Sequence, residues 1–253
     1  MSNTANLIMS GESNRGLVRE RNEDSFFYAL DEDGNAAIAV VADGIGGHRD
    51  GDIASFVCCS ELLIAWRNRM IREMTVEGAR DFLCDEIQRI NISLFICNRR
   101  DRNTQPMGST VVAAIFMPDK VVVAHAGDSR LYSADQAGGK LLTEDHTLLS
   151  QMQKNHAPVT HDPVLLNNVI SRAVGPRLSL DLEINVYDRR PETRYMLCSD
   201  GLSRYTEPEK VEQTLRNAET PRMAVDSLMR TALIGGGRDN ITIICAFPAN
   251  ERR

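Results

Sequence analysis

No stretch of this sequence approaches the roughly 20 uninterrupted apolar residues of a membrane-spanning helix, so no membrane partner is expected. Lys and Arg nowhere form a block and the formal net charge is −6, so the electrostatic footprint of a nucleic-acid binder is missing as well. The opening MSNTANLIMSGESNRG lacks the basic start and the apolar segment of a secretory signal. Six cysteines, at 58, 59, 84, 97, 198 and 245, make no C-x-x-C pair. Most sit in apolar runs, which reads as reduced, buried thiols in a cytoplasmic protein. Repeats, low-complexity tracts and Pro/Ser-rich linkers are absent too, so residues 1–253 read as a single domain. What is present is ordinary: 42% apolar and 25% charged residues, ample for a core.

Several apolar segments read as strands. Ser25–Leu30 and Ala36–Ala42 flank DEDGN, an Asp-Gly hairpin signal. Val111–Met117 and Val121–Ala126 flank Pro118-Asp119-Lys120, a second hairpin. Tyr195–Cys198 and Ile241–Phe247 are short and bounded by Gly and Asp. Two long helices separate the hairpins. In Ile53–Glu73 the apolar positions 56, 63, 70 and 57, 64, 71 make one stripe. Val76–Arg99 carries another through Phe82, Ile87, Ile90, Leu94 and Phe95. Shorter helices fit 147–154, 208–216 and 221–233. Hairpins interrupted by helix pairs do not make an alternating βαβ pattern. They predict an α+β fold of mostly antiparallel sheets with helices on the outer faces.

The informative pattern is a recurrence of Asp beside Gly where strands end or begin: VVADG (Asp43-Gly44), VVVAHAGDSR (Asp128), YMLCSDG (Asp200-Gly201) and GGGRDNITII (Asp239). Any one of these alone is a turn pair. Together they place carboxylates where one edge of a sheet pair can gather them. Clustered carboxylates raise one another's pKa unless a cation neutralises them, and hard divalent ions such as Mg²⁺ or Mn²⁺ take oxygen ligands of this kind. The glycines let a backbone carbonyl such as that of Gly44 join the shell. A dinucleotide reading fails, because Arg49 stands where G-x-G-x-x-G needs its third glycine. In GLVRERNEDSF, Arg19 and Arg21 precede Glu23 and Asp24. The bland reading is a charged turn with weak ion pairs; the functional one is an arginine fork for phosphate.

The ordered series R-x-x-N-E-D (Arg19, Asn22, Glu23, Asp24), A-D-G-x-G-G-H (Ala42–His48), G-D-x-A-S (Gly51–Ser55), G-S-T (Gly108–Thr110), A-G-D-S-R (Ala126–Arg130), T-x-D-H (Thr143–His146), S-R-A-V-G (Ser171–Gly175), S-D-G-L (Ser199–Leu202) and D-N-I-T (Asp239–Thr242) closely resembles the bacterial branch of the metal-dependent serine/threonine protein phosphatases, the protein phosphatase 2C family. The match runs from about residue 10 to 247. The resemblance implies a central antiparallel β-sandwich flanked by helices on both faces. It implies that Asp43, the Gly44 carbonyl, Asp200 and Asp239 hold two Mn²⁺ or Mg²⁺ ions, with Asp43 bridging them. Glu23 and Asp24 would act through metal-bound waters, Arg19 would bind phosphate, and Asp128 with Asp200 would help hold a third ion. A metal-bridging water would attack phosphoserine or phosphothreonine directly, without a phosphoenzyme. The partners implied are phosphoproteins, including a cognate kinase, met by a monomer.

Two departures stand out. Position 204, an acid in some relatives that serves the third ion, is Arg here. Position 45, a proposed general-acid histidine in eukaryotic relatives, is Ile; His48 is nearby, and the general acid stays unassigned. The segment 135–170 corresponds to the family's variable flap, and His156 and His161 there lack i,i+4 ligand spacing. One rival shares these residues: Cys198 to Arg204 matches the C-x5-R loop of cysteine-dependent phosphatases. Asp200 would put a carboxylate into that phosphate cradle and oppose the low thiol pKa such a nucleophile needs. The other rival is a module that recognises phosphorylated partners without turning them over.

Overall fold

The computed structural model describes residues 6–31, 34–46, 50–69, 74–100, 106–159 and 162–249. Two antiparallel sheets pack face to face. The first orders its strands β1 (Leu7–Asn14), β11 (Ile241–Pro248), β10 (Arg194–Cys198), β7 (Arg130–Asp135) and β8 (Gly138–Leu141). The second runs β2 (Asp24–Leu30), β3 (Ala37–Ile45), β5 (Val111–Phe116), β6 (Lys120–Ala126) and β9 (Glu183–Asp188), with β4 (Gly108–Ser109) pairing on β3.

Alternation along the strands explains the layering. Ala37, Ala39, Val41, Val112, Ala114, Phe116, Val121 and Val123 meet Leu131, Tyr195, Leu197, Ile244 and Ala246 between the sheets. The intervening residues Ile38, Val40, Ala113, Ile115, Val122 and Ala124 face outward under α1 (Gly51–Asn68) and α2 (Val76–Arg100). On the other side Met196, Cys198, Ile243 and Cys245 face α6 (Pro208–Asn217) and α7 (Pro221–Ile234). Central strands covered on both faces read as nearly continuous apolar runs, which makes them visible in the sequence. The expected sandwich flanked by helices is the one observed.

Both expected hairpins form. Asp31 accepts from the Asn35 and Ala36 amides, and Gly34 takes φ +69°, a turn conformation that suits glycine; Glu32 and Asp33 lie outside the described residues. The Met117 amide donates to the Lys120 carbonyl at 2.8 Å across Pro118-Asp119. The α1 expectation needs correcting. The helix begins at Gly51 and ends at Asn68, and its buried face is Gly51, Ala54, Ser55, Cys58, Cys59, Leu62 and Trp66. Phe56 and Ile64, read as part of the core stripe, are 64% and 52% exposed. Small residues from Gly51 to Cys59 line the first half of the inner face, where the helix lies close on β2 and β3, and Leu62 and Trp66 fill the second half. Met70, Ile71 and Glu73 fall outside the described residues. Strand β3 also runs past its expected end at Ala42, through Asp43 and Gly44, because Gly44 pairs with Ser109 of β4. No helix of the described residues is long and apolar enough to cross a membrane.

Candidate active site

Asp24 and Asp43 face each other as Cα partners at the end of the β2–β3 ladder. Asp43 is fixed through its backbone: its amide donates to Thr110 Oγ1 at 3.0 Å, and its carbonyl accepts from the Thr110 amide at 2.8 Å. Asp24 ties the two sheets together. Its Oδ2 accepts from Ser199 Oγ and Thr242 Oγ1, each at 2.7 Å, so β2 is bonded to the ends of β10 and β11. Asp200 opens the short helix α5 (Asp200–Ser203) directly after β10, and Asp239 lies two residues before β11. Asp128 occupies the turn between β6 and β7 and is 2% exposed.

Asn240 locks the R-x-x-N-E-D loop to this end of the molecule. It accepts from the Glu23 amide at 2.8 Å and donates to the carbonyls of Arg15 and Arg21 at 2.9 and 2.8 Å. Arg19 then reaches Asp239, Nη2 to Oδ2 at 2.7 Å, with half of its side chain in solvent. The glycines serve a purpose not foreseen from the sequence. A Cβ on Gly44 would lie 2.1 Å from the Gly51 carbonyl oxygen, and one on Gly201 would lie 1.9 Å from that of Asn240. Backbone packed on backbone requires glycine at both positions. Gly47, His48 and Arg49 lie outside the described residues.

The electrostatics are those of a pocket short of positive charge. Burial and the surrounding acids Asp24, Asp200, Asp128 and Asp239 hold the Asp43 carboxyl well above the usual carboxylate range. Burial, opposed by the Thr242 and Ser199 hydroxyls, pushes Asp24 up to about 6. Burial and Asp128 push Asp200 up to about 7, against the pull of Arg204. Glu23 and Asp128 are also raised, mainly by burial. Asp24 Oδ1 and Asp128 Oδ1 are buried without a hydrogen-bond partner. Orphaned carboxylate oxygens among mutually repelling acids are what hard divalent cations neutralise, so the residues present fit such ions.

A different cluster competes for the description of a metal site. Among the described residues, one trio brings its ligating atoms within 4.8 Å of one another: His125, His146 and Glu183. The two rings stack at 4.4 Å and 25°, so their in-plane lone pairs run side by side instead of converging. The Arg172 guanidinium also sits 3.0 Å from His146 Nε2, where it would repel a cation. The Gly127 amide donates to His146 Nδ1 and Glu183 lies 3.1 Å from Nε2, an arrangement that braces the turn carrying Asp128.

The strand-end pattern predicts that Asp43, Asp128, Asp200 and Asp239 gather at one edge of the sheet pair. The structure brings these four together with Asp24, Glu23 and Arg19, which the family resemblance adds, around the β3 end that carries Gly44. Sequence reasoning missed the roles of Thr110, Ser199, Asn240 and Thr242, although each lies inside a quoted motif. The cysteine rival fails on burial: Cys198 is fully buried at the end of β10 and its thiol is pushed up to about 12 by that burial. Arg204, its would-be phosphate cradle, is bonded to Asp128 and Asp200 instead.

Residues 15–234 match the family model described as protein phosphatase 2C. The serine/threonine phosphatase stp of Listeria monocytogenes serotype 4b is 32% identical over 234 residues, covering 92% of this chain and 92% of that protein. Among solved structures, the serine/threonine phosphatase Stp1 from Staphylococcus aureus superposes with a TM-score of 0.87 at 25% identity, over 98% of this chain and 97% of that one. The catalytic domain of a serine/threonine protein phosphatase PstP, solved in complex with two manganese ions, gives a TM-score of 0.80 at 26% identity, over 95% of this chain and 97% of that one. With its sandwich, its gathered acids and its motif series all in place, the chain belongs to the protein phosphatase 2C family.

Proposed function

We propose that this protein is a metal-dependent phosphatase that removes phosphate from phosphoserine and phosphothreonine in protein substrates. The observation that supports this most is the convergence of Asp43, Asp200 and Asp239, from distant parts of the chain, beside an arginine at the rim. Asp43, the Gly44 carbonyl, Asp200 and Asp239 would hold two Mn²⁺ or Mg²⁺ ions. Bound there, such ions supply Lewis-acid charge for the phosphoryl oxygens and lower the pKa of water toward neutrality.

The chain's own groups do the rest. Asp24 keeps the β2, β10 and β11 ends in register, so the acids on those strands keep their spacing. Arg19 pairs with Asp239 in this structure. Once Asp239 is committed to an ion, the Arg19 guanidinium is available to grip the phosphate oxygens through its planar fork. Its exposure at the rim suits a phosphorylated side chain presented by a folded protein. The partners are phosphoproteins, among them a cognate serine/threonine kinase, and the enzyme acts as a cytoplasmic monomer.

The test is turnover of a phosphothreonine peptide with added Mn²⁺. Phosphate release that EDTA abolishes, Mn²⁺ restores and iodoacetamide leaves intact is expected. Release that survives EDTA and falls to iodoacetamide would point to Cys198. Tight peptide binding without release by the Mn²⁺-loaded protein would make the chain a phosphopeptide reader.

A further inference from the structure

Arg204 stands where the family resemblance leads one to expect an acid serving a third cation, and its side chain has three partners. Nη2 lies 2.5 Å from Asp128 Oδ2, and Nε lies 2.9 Å from Asp200 Oδ2. Nη1 donates to Asn168 Oδ1 at 2.5 Å. Asp128 and Asp200 are the two acids that a third ion would use. Asn168 caps the C-terminus of α4 (Pro163–Asn167) in the flap segment. One planar guanidinium therefore joins the β6–β7 turn, the start of α5 and the flap.

We infer that Arg204 is a built-in replacement for the third cation: the protein takes two divalent ions, and this arginine both neutralises the Asp128–Asp200 pair and pins the flap to the floor of the site. The inference rests on the two-ion ligand set proposed above. The physical case is one of place and charge. A guanidinium within hydrogen-bond distance of both carboxylates fills the space between them and repels a divalent ion from it. It is held there by more than the two acids, because Asn168 fixes its remaining edge. A metal ion could release the flap when it dissociates, whereas a covalently attached cation keeps the flap in place at any metal concentration. Arg204 is thus a positioning residue, acting on the flap and on Asp200 rather than on the phosphate.

Counting ions tests this without reference to turnover. Mn²⁺ titrated into the chelator-stripped protein by calorimetry, with metal analysis after dialysis, should saturate at two per chain in the wild type. Arg204→Asp removes the guanidinium and adds a ligand beside Asp128 Oδ1, which no hydrogen bond claims; it should saturate at three. Arg204→Lys keeps a charge between the acids and should stay at two. Lacking the fork that reaches Asn168, it should exchange the amides of residues 165–170 faster in hydrogen–deuterium measurements on the Mn²⁺-loaded protein. Three ions in the wild type would overturn the inference, and so would two in Arg204→Asp with intact circular dichroism. Unchanged exchange in Arg204→Lys would overturn the pinning of the flap. Fewer than two ions in the wild type would instead overturn the ligand set itself, and this inference with it.

Discussion

Asp239 and Arg19 pair at 2.7 Å, and the pair makes opposite demands on the two side chains. The aspartate is needed as a metal ligand, so Asp239→Asn should lower activity at limiting Mn²⁺ by at least about a hundredfold, with partial recovery at high metal; full activity at low metal would remove Asp239 from the ligand set. The arginine is needed for phosphate, and a charge-assisted hydrogen bond contributes roughly 1.5–3 kcal/mol. Arg19→Ala should therefore raise KM about 10- to 100-fold with the melting temperature unchanged, and steady-state kinetics on a phosphopeptide would check it. Cys198→Ser, by contrast, should leave turnover nearly intact, since that thiol is buried and protonated. Loss of activity in a folded Cys198→Ser protein would restore the cysteine route.

The elements that carry these residues are unequally legible in the sequence. β3, β5, β6, β10 and β11 show themselves because burial on both faces demands continuous apolar runs. β1, β8 and β9 do not, because they lie at sheet edges and sequences such as GGKL and EINVYD mix in polar residues where one face meets water. β7, RLYSAD, is short and half polar, and it too gives no clear signal. The α1 stripe misleads because sequence periodicity counts bulk, whereas the first turns of the buried face are set by small residues, Ala54, Ser55 and Cys58, which put that face in register with Leu62 and Trp66 rather than with Phe56 and Ile64. Candidate ligands are legible from strand-end Asp-Gly pairs, but the bonds that hold them are not, since Asn240 reaches Glu23 across 217 positions. Asn240→Ala would leave three backbone groups of the 15–23 loop unpaired. At about 0.5–1.5 kcal/mol per hydrogen bond, urea denaturation should show a loss of roughly 2–4 kcal/mol; a loss well under 1 kcal/mol would mean the loop is held by something else.

Taken together, the molecule is a sandwich that spends one end on like charges, and pH should expose the consequence. Asp24 and Asp200 titrate near 3.8 when unfolded but at about 6 and about 7 in the fold. Because the folded values are raised, the metal-free fold binds extra protons in this window, and these groups disfavour it as pH climbs from about 4 to 7. A divalent ion must displace those protons. Mn²⁺ affinity should thus fall as pH drops from 8 toward 5.5, and binding should release more protons at pH 6 than at pH 8, as calorimetry in buffers of different ionisation enthalpy would show. Equal release at both values would mean that the acids are already ionised. The most direct measurement is anomalous diffraction from a crystal grown in Mn²⁺. Two peaks bonded to Asp43, Asp200, Asp239 and the Gly44 carbonyl are expected. No peak among those oxygens, or one bound instead by His125, His146 and Glu183, would contradict the assignment of the site.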